Sequence, residues 1–179
     1  MSSAADHERR SYFFRVGLFA AALPLLYWSF VRYLRVVVSP SVPRGVYLAT
    51  SPSGPRVGDL MSFCLPAPLG ARLLAHHRVL PGHCPGGAGP LVKRVAALPA
   101  TRACATTAGV QLGDRLYPWP APPPKALQLS RFRDCGLLPA DCLFFLGDSP
   151  DSIDSRSFGC VSGKDLLKRF RPIPGLTER

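Results

Sequence analysis

Three features of the chain predict a mainly β domain, antiparallel with short helices, behind one N-terminal transmembrane helix. Prolines number 20 and glycines 16 among 179 residues, a content that disfavours a helical bundle and suits short strands joined by many turns. Short apolar runs recur between those turns, and one much longer apolar segment lies near the N-terminus. Hydrophobic residues make up 47% of the chain against 18% charged, so a folded core is expected rather than extended disorder. The length suits one domain of ordinary size plus an anchor.

In chain order, residues 1–11 read as a cytoplasmic tail and 12–35 as a transmembrane anchor. Val16 to Val31 is free of charge and includes Leu18, Phe19, Leu23, Leu26, Trp28 and Phe30. At about 1.5 Å per residue this core is slightly short for ~30 Å of hydrocarbon. Arg15 and Arg32 can snorkel, and Tyr12, Tyr27, Trp28 and Tyr33 suit the interface, which extends the span. Pro24 is tolerated in a membrane helix. A cleavable leader is the competing reading, because Ala20 to Ala22 are small, but cleavage there would leave a second apolar stretch at the new terminus.

Residues 36–179 read as the soluble domain. Val36 to Val38 and Val46 to Leu48 are β-prone runs around Ser41, which Pro40 and Pro43 hold stiffly. Ser51 to Gly58 reads as a loop, Asp59 to Leu65 as a strand, and Leu69 to Val79 as a short helix carrying His76 and His77. Pro81 to Pro90 connects flexibly into a strand around Lys93. Gly109 to Pro124 reads as a hairpin and a proline-rich surface loop. Cys142 to Leu146 and Phe158 to Val161 are two further strands.

Ser41 is the candidate nucleophile, and Lys93 the candidate base. A serine hydroxyl reacts only when its proton is taken, and a lysine serves once burial pushes its pKa far below about 10.4. Period-two alternation puts Lys93 on the face of Leu91 and Val95, and Arg94 on the other. The turn-rich segment Phe145 to Gly159 supplies polar groups. Ser152 and Asp154 are two apart and project the same way in an extended loop, the first to orient the lysine amine and the second to pair with Arg156.

Other chemistries fit less well. Asp148, Asp151 and Asp154 are spaced by three rather than two, and Gly159 stands where a calcium loop needs its bidentate Glu. Cys64, His76, His77, His83 and Cys84 lack the paired short spacings of structural zinc sites. The histidines have no partner carboxylate nearby, and there is no G-x-S-x-G elbow. No metal and no cofactor is therefore expected. The net charge of +11 is scattered, with only Lys164 to Arg171 dense, so a basic surface facing anionic lipid is preferred over nucleic acid.

The three segments together resemble the type I signal peptidase family of Ser/Lys proteases. The resemblance is closest to its branch of conjugative transfer peptidases, the TraF branch. Ser41 to Tyr47 is similar to the branch's S-x-P-x-G-x-Y, Lys93 to Pro99 to its K-R-V-x-x-L-P, and Gly147 to Gly159 to its G-D-S…S-x-D-S-R…G. The resemblance implies a signal-peptidase-like antiparallel β fold, with Ser41 as nucleophile and Lys93 as general base. It also implies that Ser39 shares the oxyanion hole with the Ser41 amide, that Ser152 orients the lysine, and that Asp154 is a third catalytic residue, the carboxylate that supports the site, with Arg156 as its structural partner. The implied substrate is a propilin or another exported precursor, cut for conjugative transfer and in some members joined end to end. A general leader peptidase and a non-catalytic membrane scaffold of a transfer complex are the alternatives.

Six cysteines fit an oxidising compartment. Cys64 with Cys84, closing an excursion around 64–90, and Cys104 with Cys135 are the expected pairs, with Cys142 and Cys160 left open. Disulfides favour a cytoplasmic N-terminus and a periplasmic catalytic domain at the bacterial inner membrane, since Arg9, Arg10 and Arg15 against Arg32 and Arg35 decide little.

Overall fold

The computed structural model describes residues 3–38, 41–122, 127, 129 and 131–177. The chain divides into two compact units, Met1–Arg35 and Val36–Arg179. The first is essentially one helix, α1 (Ser3–Tyr33), with Pro24 inside it. Its stretch Phe14–Tyr33, 20 residues of mean hydropathy 1.5, is long and apolar enough to cross a membrane.

The second unit is mainly antiparallel β. The strands are β1 (Leu34–Val37), which begins in the last two residues of the first unit, and then β2 (Gly45–Thr50), β3 (Leu60–Phe63), β4 (Leu91–Ala97), β5 (Arg102–Ala105), β6 (Gly109–Leu112), β7 (Arg115–Pro118), β8 (Cys135–Leu137), β9 (Cys142–Leu146), β10 (Val161–Ser162) and β11 (Leu166–Thr177). Two short helices, α2 (Ala67–Ala75) and α3 (Ser155–Phe158), complete it. A seven-stranded sheet runs β1-β2-β11-β3-β4-β9-β10, and a four-stranded sheet runs β7-β6-β5-β8.

β9 explains how the two sheets share one centre. All five of its residues are buried, as its unbroken apolar run requires. Leu143 and Phe145 face a core with Met61, Phe63, Leu73 and Val95, where the Phe63 and Phe145 rings lie 4.4 Å apart. Phe144 and Leu146 face a second core with Ala103, Val110, Leu112 and Phe132. A register shift in the pairing of β4 with β9 separates Val95, in the first core, from Ala97, in the second. A third cluster, including Val42, Tyr47, Leu60 and Phe170, anchors the turn around Ser41.

Several elements depart from expectation. Phe158 to Val161 is not a strand: Phe158 closes α3, Gly159 turns the chain at φ 81°, and only Val161–Ser162 pairs with β9. The chain here bends to bring polar side chains inward, which apolar content alone does not reveal. α2 stops at Ala75, and His77, expected inside the helix, adopts φ 54° in its cap. The basic run Lys164 to Arg171 falls largely within β11, between β2 and β3, with Phe170 buried and Arg169 paired to Asp59 at 3.1 Å.

Three disulfides join Cys64 to Cys84, Cys104 to Cys135, and Cys142 to Cys160. The first closes the excursion that carries α2. The second joins residues directly opposed across β5 and β8.

Candidate active site

Lys93 sits in the middle of β4, with Met61 opposite it on β3. Alternation turns it inward with Val95, and only 4% of it reaches solvent. Its Nζ donates to Ser152 Oγ at 2.7 Å. Burial pushes its pKa down to about 8; Asp154 and Asp148 oppose that shift, and Arg156 adds to it. An amine so placed gives up its proton at mildly alkaline pH, well below the range of an ordinary lysine, and can then accept one.

Arg94, on the opposite face, pairs with Asp148 at 2.9 Å and is itself held protonated above its ordinary range by that hydrogen bond. The pair straps β4 to the turn after β9. Asp148 contributes a second tie, because its N–H donates to the Ser41 carbonyl at 2.7 Å. Val42 next to it is buried, and the Tyr47 hydroxyl donates to the Pro43 carbonyl at 2.6 Å. The Ser41 turn is thus fastened on both sides.

Ser152 and Asp154 belong to the turn that leads from β9 into α3. Asp154 is fully buried and grips Arg156 through two bonds, Nε to Oδ1 at 2.9 Å and Nη2 to Oδ2 at 2.6 Å. The same carboxylate accepts the Gly147 N–H at 3.1 Å and caps α3 through the Arg156 N–H at 3.1 Å. Nη1 of Arg156 reaches the Pro118 carbonyl at 2.6 Å. Buried charges that are paired and hydrogen-bonded in this way hold a geometry.

Ser41, Lys93 and Ser152 line one open cleft of about 840 Å³. Its other walls are mostly apolar, with Val36 to Val38 on one side and Val79, Leu80 and Leu91 among the rest. Asp154 and Arg156 stand behind the lining. Ser39 lies outside the described residues. The sulfurs of Cys64 and Cys84 are bonded to each other and so are not available to a metal. Among the described residues, no cluster of three potential metal ligands occurs.

Two contributors were not legible as such in the sequence. Gly147 reads there as a turn residue, yet a methyl group on it would overlap Ser152 Oγ and come within 3.2 Å of Lys93 Nζ. Ser155 reads as one polar residue among several, yet it is fully buried and its Oγ accepts the Phe145 N–H at 2.9 Å. The spacing of Gly147 and Ser152 on either side of a turn is the only sequence signal for the first.

A family model described as "Signal peptidase, peptidase S26" matches residues 10–173. The chain belongs to the signal peptidase S26 family. Members of this peptidase family cleave precursor peptides, and a buried lysine bonded to the Ser152 hydroxyl agrees with serine-type chemistry. The chain is 29% identical to "Conjugal transfer protein TraF" of Agrobacterium tumefaciens (strain 15955), over 93% of this chain and 96% of the relative. It is 29% identical to "Plasmid transfer protein TraF" of Escherichia coli, over 86% and 89%. It is 32% identical to "Probable conjugal transfer protein TraF" of Sinorhizobium fredii (strain NBRC 101917 / NGR234), over 74% and 72%. No solved structure matches at the same stringency. The fold, the N-terminal apolar helix and the three disulfides fit a membrane-anchored S26 peptidase.

Proposed function

We propose that this S26 peptidase works through a Ser41/Lys93 dyad and processes a propilin or another exported precursor for conjugal transfer. The observation that supports it most is the buried Lys93 amine, held by Ser152 in the cleft that Ser41 also lines. In this reading residues 1–11 are a cytoplasmic tail, 12–35 anchor the chain in the inner membrane, and 36–179 act in the periplasm. Substrate and lipid are its partners, with no nucleic acid.

The steps follow from the residues. Neutral Lys93 takes the proton of Ser41 Oγ as that oxygen bonds to the substrate's carbonyl carbon. The Ser41 N–H and the Ser39 hydroxyl stabilise the oxyanion. As the carbon–nitrogen bond breaks, Lys93 returns the proton to the leaving nitrogen. Water attacking the acyl-enzyme gives a linear product, and an amine of the same substrate gives a joined one. Asp154 and Arg156 keep the Ser152 turn in place throughout.

The deciding experiment is mass spectrometry of the precursor in cells carrying wild type, Ser41→Ala or Lys93→Ala. Loss of processing in both variants supports the dyad, and a product lighter by one water identifies end joining. Processing of many A-x-A precursors identifies a general leader peptidase. Unchanged processing in both variants leaves a non-catalytic scaffold.

A further inference from the structure

A second hollow of about 350 Å³ adjoins the cleft. Arg78, Asp151, Ser152 and Ile153 line both, whereas Ser41 and Lys93 line the cleft alone. Ser152 is therefore the shared wall, and Lys93 Nζ is bonded to it at 2.7 Å. The far side of the hollow is Pro120 to Pro122, a stretch of low flexibility because each proline fixes its own φ. That loop is fastened to the site, since Arg156 bonds the Pro118 carbonyl while gripping Asp154.

The peptidase reading, on which this inference rests, supplies a direction. Lys93 must hand its proton to the leaving nitrogen, so that nitrogen lies beside Lys93 and Ser152 when the bond breaks. The hollow lies across Ser152 from Lys93, on the path open to the chain beyond that nitrogen. We infer that the Arg78–Pro122 hollow is the subsite for the leaving side of the substrate, and that Arg78 selects a carboxylate there.

Arg78 is well placed for this. Its N–H donates to the Leu73 carbonyl at 2.8 Å, and Leu73 is a core residue 1% exposed. The preceding His77 is held at φ 54°, a conformation unfavourable for a residue with a side chain, so the cap is fixed at a cost. Among the described residues Arg78 makes no ion pair. Among the described residues lining the two cavities, Arg78 is the one arginine. A guanidinium matches a carboxylate through two parallel hydrogen bonds, which sets a leaving-side acid apart from a leaving-side base. Asp151 on the same wall opposes a second anion, so one acidic group is the expected limit.

The test uses the purified full chain and a peptide spanning the cleavage site found by the processing experiment. Its first leaving-side residue is replaced by Glu, Ala or Lys, and a methyl ester of the same acyl part serves as reference. Wild type is expected to cleave the Glu peptide about tenfold better than the Lys peptide in kcat/KM. Arg78→Glu should reverse that order when each peptide is scored against the ester on the same protein, while Arg78→Lys should weaken the preference without reversing it. Equal loss on ester and peptides in Arg78→Glu, or a wild type that turns over the ester without distinguishing the peptides, would overturn the subsite and leave the peptidase reading standing. A wild type that turns over neither ester nor peptide would overturn both.

Discussion

Gly147 and Ser152 are packed so closely that no side chain fits on the first without displacing the hydroxyl of the second. Because that hydroxyl holds Lys93, the room at Gly147 sets where the amine points. Gly147→Ala is expected to lower kcat by about a hundredfold, the usual consequence of moving a reacting group by ~1 Å. Overpacking should also cost about 1–3 kcal/mol. Steady-state kinetics and urea denaturation of the variant check both.

The depressed Lys93 pKa predicts a pH profile. With the amine as base, kcat/KM should rise with pH and level off above an apparent pKa near 8. Ser152→Ala, which removes the acceptor of the amine, should lower the plateau ~10–100-fold while KM changes little. A profile measured from pH 6 to pH 10 on both proteins is the check.

The same shift is a stability statement. Lys93 binds its proton less tightly in the folded chain, at about 8 against its ordinary value of 10.5 in the unfolded chain. Below pH 8 both states hold the proton, and the full burial penalty of about 3 kcal/mol is present. Between pH 8 and 10.5 the unfolded chain binds more protons, so stability rises with pH across that window. Lys93→Met should be more stable than wild type at pH 6, with an advantage that shrinks from pH 8 upward. Urea titrations of the pair at several pH values measure the difference directly.

Asp154 and Arg156 form a buried pair that also anchors Gly147, the start of α3 and the Pro118 carbonyl. Removing one partner strands the other's charge, so Asp154→Ala should cost about 3–5 kcal/mol and abolish activity. The double variant Asp154→Asn with Arg156→Gln should recover part of that stability and none of the activity. Denaturation midpoints and turnover together separate the two effects.

The Cys142–Cys160 disulfide closes the segment that contains Gly147, Ser152, Asp154 and Arg156. Replacing both cysteines by Ala should cost about 3 kcal/mol for a loop of this size. Thermal unfolding of the variant against wild type, both under non-reducing conditions, tests it.

Much of this was legible in the sequence, and the failures have physical reasons. The inward parity of Lys93 follows from strand alternation, and it survives because Val95 on the same face is pulled into the core. The β9 run is readable because both its faces are covered. β8 is exposed at all three residues, so it carries no apolar alternation and exists through pairing and the disulfide to β5. β11 looks like a basic run because its cations lie along the sheet, with Arg169 ion-paired to Asp59 and donating through Nη2 to the Ser53 and Gly54 carbonyls. The steric role of Gly147 is invisible until the turn is closed in space.

If Lys93 activates Ser41, acyl transfer from an ester must depend on both residues. Purified wild type, Ser41→Ala and Lys93→Met are incubated with the methyl ester of the substrate's acyl part, and intact and peptide masses are read. One acyl group is expected in wild type, on the peptide containing Ser41, and none in either variant. An adduct on another residue, or one on Ser41 that forms at an undiminished rate in Lys93→Met, would contradict it.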